Sequence, residues 1–171
     1  MKRIQGRPSI AISGVIAALV LAILACSGTP ASTLNEGKGT RNDPVPVGKY
    51  MVTTNYEVRA QAVSHVDTEE PSSETDEYRK VQFLIKCRKS PDDVCDLDQI
   101  RENLKLVSVT GIIFDPVPNV DLPPSDKPLG GDILGEAEKA GWLVYEIPIG
   151  LDITLGMAEY ETDRRGFFVL P

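Results

Sequence analysis

The side chains of this 171-residue chain that could do chemistry are three cysteines, one histidine and two crowded runs of acids. Catalysis needs a nucleophile or an acid–base pair held in place by partners. His65 stands alone, near the end of an expected strand and beside an acidic stretch, and reads as a surface residue. Neither a Gly-x-Ser-x-Gly run nor a histidine-led metal motif occurs. The sequence therefore predicts no enzyme and no cofactor. Asp67, Glu69, Glu70, Glu74, Asp76 and Glu77 crowd one stretch; Asp92, Asp93, Asp96 and Asp98 crowd the other. Calcium takes about six to eight oxygens from a sharply turning loop. Neither run has the glycine-centred spacing of a calcium hand, so solvated charge is expected. Asp92, Asp93, Asp96 and Asp98 stand as the weaker metal-site alternative.

Cys26 lies where the apolar stretch Ile10 to Ala25 gives way to Ser, Gly, Thr and Pro. Lys2, Arg3 and Arg7 precede that stretch, and together they form an export signal. Ala22-Ile23-Leu24-Ala25-Cys26 resembles a bacterial lipobox, which implies removal of residues 1–25 and lipid on Cys26. The alternative is an uncleaved transmembrane helix. The run from Ile10 to Cys26 is 17 residues, against about 20 for a usual span. Two or more acyl chains hold a protein firmly where one does not. Lipid on Cys26 would thus anchor the chain to a membrane, outside the cytoplasm.

In that compartment Cys87 and Cys95 read as a disulfide, with two free thiols as the alternative. Loss of Lys2, Arg3 and Arg7 takes the net charge from −7 to −10. Phosphate backbones repel such a chain, which argues against nucleic acid as a partner.

Residues 26–42 are small and polar and read as a tether, leaving 43–171 as one folded domain. Within it, short apolar runs alternate with Gly, Pro, Asn and Asp clusters, as in a sandwich or barrel. Val81, Phe83, Ile85 and Cys87 recur at period two and predict a central strand. Val58, Ala60, Ala62 and Ser64 predict one face of the strand before it. Gln99 to Asn103 suits one helical turn, and Lys139-Ala140-Gly141 a turn. Asp115 to Gly131 carries five prolines and reads as irregular. Eight or nine strands result, an all-β, two-sheet antiparallel sandwich.

Gly39-Thr40-Arg41-Asn42-Asp43-Pro44-Val45-Pro46-Val47-Gly48, Leu104-Lys105-Leu106 before Gly111, Gly141-Trp142-Leu143-Val144-Tyr145-Glu146-Ile147-Pro148 and Phe167-Phe168-Val169-Leu170 together resemble one family. It is the telokin-like, immunoglobulin-like domain of bacterial surface lipoproteins. The resemblance spans about Gly39 to Leu170 and implies an immunoglobulin-like fold and a surface location, but no activity. The family commonly has Asn-x-Gly after the central strand; here the longer stretch from Cys87 to Cys95 replaces it.

Trp142 is expected in the core or capping one end of the sandwich, in preference to stacking on a sugar. Loops on rigid sandwiches carry recognition. The proline-rich segment, with Asp115, Asn119, Asp121 and Asp126, is thus the candidate binding loop for a protein or envelope ligand. The functional expectation is a non-catalytic, membrane-anchored binding module. The alternatives are a structural subunit of an envelope complex and a calcium- or sugar-dependent adhesin.

Overall fold

The structure is a computed structural model and describes residues 39–161 and 164–171. The expectations for the leader, for lipid on Cys26 and for the tether up to residue 38 lie outside the described residues. Eleven strands and one helix follow in chain order among them. They are β1 (Met51–Val52), β2 (Tyr56–His65), β3 (Asp76–Cys87), β4 (Val94–Asp96), α1 (Leu97–Glu102), β5 (Leu104–Ser108), β6 (Ile113–Phe114), β7 (Pro116–Val117), β8 (Asp132–Leu134), β9 (Glu138–Pro148), β10 (Ile153–Tyr160) and β11 (Arg164–Val169). One sheet has the order β1-β2-β3-β9-β7, the second β11-β10-β5-β6, and β4 and β8 form a small third. The strands within each sheet pair antiparallel. The chain is an all-β sandwich.

The period-two pattern of β3 places Val81, Phe83, Ile85 and Cys87 in the core, each fully buried. Leu104, Leu106, Ala158 and Phe168 face them from the second sheet within the same core cluster. The Phe83 and Phe168 rings meet edge to face at 6.1 Å between centroids, the arrangement their quadrupoles favour. Gly156 makes room for this: a Cβ there would lie 2.2 Å from the Phe168 ring. Tyr145, opposite Arg79 on β3, donates its hydroxyl to Leu104 O at 2.9 Å and so bonds one sheet to the other.

Several expectations are corrected. On β2 the register shifts between Ala60 and Ala62. An extra residue in one strand reverses which side chains point inward beyond it. Val63, opposite Val81, therefore packs on the core, where Ala62 and Ser64 had been expected. Lys139-Ala140-Gly141 is not a turn but part of β9, because β9 pairs with β3 all the way from Asp76↔Pro148 to Lys86↔Glu138. That ladder also draws Asp76 and Glu77 out of the acidic loop and into β3. The helix begins at Leu97, two residues early, since the Asp96 carboxylate caps the amides of Asp98 and Gln99 at 2.9 and 3.1 Å. The strand count exceeds eight or nine because pairs as short as β7 form at the sheet edge. Pro116 is tolerated in β7 because an edge strand need not donate on both sides.

Cys87 and Cys95 are joined by a disulfide with Cα atoms 5.8 Å apart, tying the end of β3 to β4. Gly39 to Asn42, expected in the tether, are held to the sandwich. Phe167 N donates to Gly39 O at 2.9 Å, and the Arg41 guanidinium donates to Val109 O at 3.2 Å.

Burial pushes the Tyr56 and Tyr145 hydroxyls well above their ordinary pKa of 10.0. Above that pH the unfolded chain releases phenolic protons that the folded chain retains. The stabilisation is complete below about pH 10 and is lost as pH rises through the folded values. The urea midpoint is expected to fall between about pH 8 and pH 11, and to fall less in Tyr145→Phe. Equal drops in both proteins would remove Tyr145 as a cause.

Candidate binding cleft

The proline-rich segment is pinned to the outer edge of β9 at two places. Pro116 and Val117 pair with Tyr145 and Val144. Further along, Pro128 bridges to Trp142, with Leu129 N donating to Trp142 O and Trp142 N to Lys127 O, both at 2.9 Å. Leu129 is fully buried and anchors the second attachment. Its backbone occupies the space above Gly141, where a Cβ would come within 2.5 Å of Leu129 Cα. Gly141 is thus needed for close approach. Gly141→Ala is expected to cost about 1–3 kcal/mol, as overpacking does, and to loosen the segment. Hydrogen exchange would register this as faster exchange at Leu129 and Trp142 N–H; unchanged protection would count against the contact.

Between the two attachments lies a cleft of about 260 Å³. Val117, Pro118, Asn119, Val120 and Leu122 wall one side and Trp142 another, with Arg101 and Glu102 of α1 at its border. The helix is held there by burial of Leu97 and Ile100. Two bonds join it to the segment's end, Leu97 N to Gly131 O at 2.9 Å and Gly131 N to the Asp98 carboxylate at 3.2 Å.

Trp142 is half-buried and faces this cleft, not the inter-sheet core. The expected core role is corrected by register: Trp142 pairs with Gln82, on the face of β3 opposite Val81 and Phe83. Lys80 Nζ stands 5.1 Å from the indole centroid and also pairs with Asp126. The Lys80 hydrogen bond holds the Asp126 carboxyl below its usual range. One lysine thereby links the indole, the sheet and the loop.

Of the four polar residues expected to form a binding loop, the cleft gathers one. Asn119, with φ of 63°, lines it. Asp115 turns away to pair with Lys105, and Asp126 is taken by Lys80. Asp121 contributes its backbone oxygen to the Thr68 hydroxyl at 2.6 Å. Sequence reasoning missed Val117, Val120 and Leu122; their spacing among polar residues and prolines was the available signal.

Asp92, Asp93, Asp96 and Asp98 do not assemble. Asp96 caps α1, and Asp98 binds Gly131 N and pairs with Arg101 at 3.3 Å. Asp92 and Asp93 sit exposed before β4. Among the described residues no three His, Cys, Asp or Glu converge as ligands would. His65 Nδ1 lies 3.2 Å from Glu77 Oε2, an ion pair only when the imidazole is protonated.

No family model matches the sequence, and no curated protein does. Solved structures do share the fold. The secreted protein MPT63 of Mycobacterium tuberculosis is similar at 10% identity and a TM-score of 0.56, over 74% of this chain and 97% of that one. The yjhA protein of Bacillus subtilis is similar at 13% identity and a TM-score of 0.54, over 74% and 99%. A candidate lipoprotein of Bacillus subtilis, ycdA, is similar at 17% identity and a TM-score of 0.50, over 70% of this chain and 37% of that one. At these identities the likeness extends to the β-sandwich alone.

Proposed function

We propose that the chain is a non-catalytic lipoprotein of the cell envelope, anchored outside the cytoplasm through lipid on Cys26. Its immunoglobulin-like, telokin-like sandwich would serve as a binding module, and the cleft beside Trp142 would take an apolar stretch of a protein partner. The observation that carries this reading is a proline-rich segment pinned at two points over a half-buried indole. Pinning lowers the ordering cost that a free loop would incur on binding, and a half-buried tryptophan beside apolar walls suits an interface anchor. The leader, the Cys26 motif and the disulfide support the compartment. A secreted protein and a candidate lipoprotein with the same fold are compatible with it.

The test is affinity capture from detergent-solubilised membranes with the full chain as bait, next to Val120→Asp and Leu122→Asp. The wild type is expected to retain a partner and to shift Trp142 emission on binding it. Both variants should melt as the wild type does and lose the partner. Equal capture by all three would overturn the cleft as the contact.

A further inference from the structure

We infer that the turn joining β5 to β6 is a membrane-contacting tip that enters the surface of the bilayer to which the chain is anchored. This rests on the lipid-anchor reading of Cys26. Val109 and Ile112 in the turn and Ile113 at the start of β6 are 56, 53 and 42% exposed. Ile149, 60% exposed, lies in the β9–β10 turn at the same end, since Ile153 at the start of β10 pairs with Ser108 at the end of β5. Scattered single apolar residues need no explanation, but several at one end of a sandwich do.

The tip is a built feature. Ser108, fully buried, accepts from Ile112 N through its hydroxyl and donates its own amide to Ile112 O, both at 2.9 Å. Gly111, at φ of 94°, closes the turn with N donating to Ser108 O at 2.9 Å. The Arg41 guanidinium packs on Gly111 and bonds Val109 O. These bonds occupy the turn's polar backbone while its apolar side chains point to solvent. Pairing these groups lowers the cost of bringing the turn's backbone into an apolar phase.

The occupant follows from where the chain enters the domain. Arg41, which braces the tip, is two residues past Gly39, where the described chain begins. Cys26 is thirteen residues before Gly39, a stretch that spans at most about 45 Å even fully extended. An acyl-anchored Cys26 therefore leaves the point where the chain enters the sandwich, beside the tip, within about 45 Å of the lipid. The acidic segment leaves the same end, with Ile149 N donating to Thr75 O at 2.9 Å. Contact is consequently apolar and not electrostatic. High salt should not release it, and anionic lipid should weaken it.

The test uses the full lipid-modified chain in phosphatidylcholine vesicles, with an environment-sensitive fluorophore on Ile112→Cys. The control is Leu134→Cys, an exposed apolar site in β8 near the opposite end of β9. A quencher carried on the lipid tails is expected to remove most of the emission at position 112 and little at 134. Ile112→Asp with Ile113→Asp, read through a fluorophore on Val109→Cys, should abolish quenching while the protein still floats with the vesicles. If the protein floats and position 112 is unquenched, or both sites are quenched alike, the tip is overturned and the anchor stands. If the protein does not float, the anchor reading fails and the tip with it.

Discussion

Phe83→Ala is expected to destabilise the domain by about 3–5 kcal/mol, the range for removing a large buried aromatic. Phe83 is fully buried at the centre of β3, between Ala60 of β2 and Gly141 of β9 in its sheet. Across the sandwich it meets the edge of the Phe168 ring. Neither lateral neighbour has a side chain large enough to fill the space it would leave. Phe168 is itself held over Gly156 and cannot easily move inward. The loss should therefore sit near the upper end of the range, as it does where a site cannot collapse. With net stability of about 5–15 kcal/mol for a typical domain, such a loss removes between about a third and all of it. Urea denaturation followed by far-ultraviolet dichroism would measure it. A loss below about 1.5 kcal/mol, the cost typical of a volume-conserving swap, would mean that the two sheets do not meet at this residue.

Replacing Cys87 and Cys95 together by alanine is expected to cost about 2–3 kcal/mol, from the extra freedom of the unfolded chain when the short loop is open. The local consequence is larger than that figure suggests. The disulfide ties β4 to the end of β3, β4 pairs with β8, and β8 leads into β9. Opening it should loosen β4, β8 and α1 together, and exchange of their amides should quicken more than exchange in β3. Urea midpoints with and without reductant, in wild type and double variant, separate the effects. Reductant should lower the wild-type midpoint and leave the variant unmoved. A wild-type midpoint indifferent to reductant in fully unfolding conditions would argue that the bond contributes nothing to stability.

The placement of Trp142 marks where sequence reasoning lost its hold. Its strand was legible, because Leu143, Tyr145 and Ile147 recur at period two and Val144 adds to the apolar run. Which face Trp142 occupies was decided by pairing with Gln82, and a strand rich in apolar residues on both sides leaves that choice open. Asp115, Asp121 and Asp126 looked in one dimension like polar contacts of a binding loop. In three dimensions Lys105 and Lys80 pair with two of them and Thr68 holds the backbone of the third. Lys80 and Thr68 lie 46 and 53 residues from their partners, and Lys105 lies ten away on β5, so local chemistry could not reveal that the loop's polar groups were already engaged.

By itself the sequence determined that this chain builds a sandwich. Alternation at period two assigns residues to an inner or outer face, and prolines and glycines mark where strands must stop. Both are local properties. The tertiary structure alone decided the shift at Gln61 that turns Val63 inward, the extension of β9 through Gly141, and the cleft behind the proline-rich segment. Each depends on which strand lies alongside which and in what register. That is settled by long-range pairing and close packing, and no local pattern in the chain encodes it.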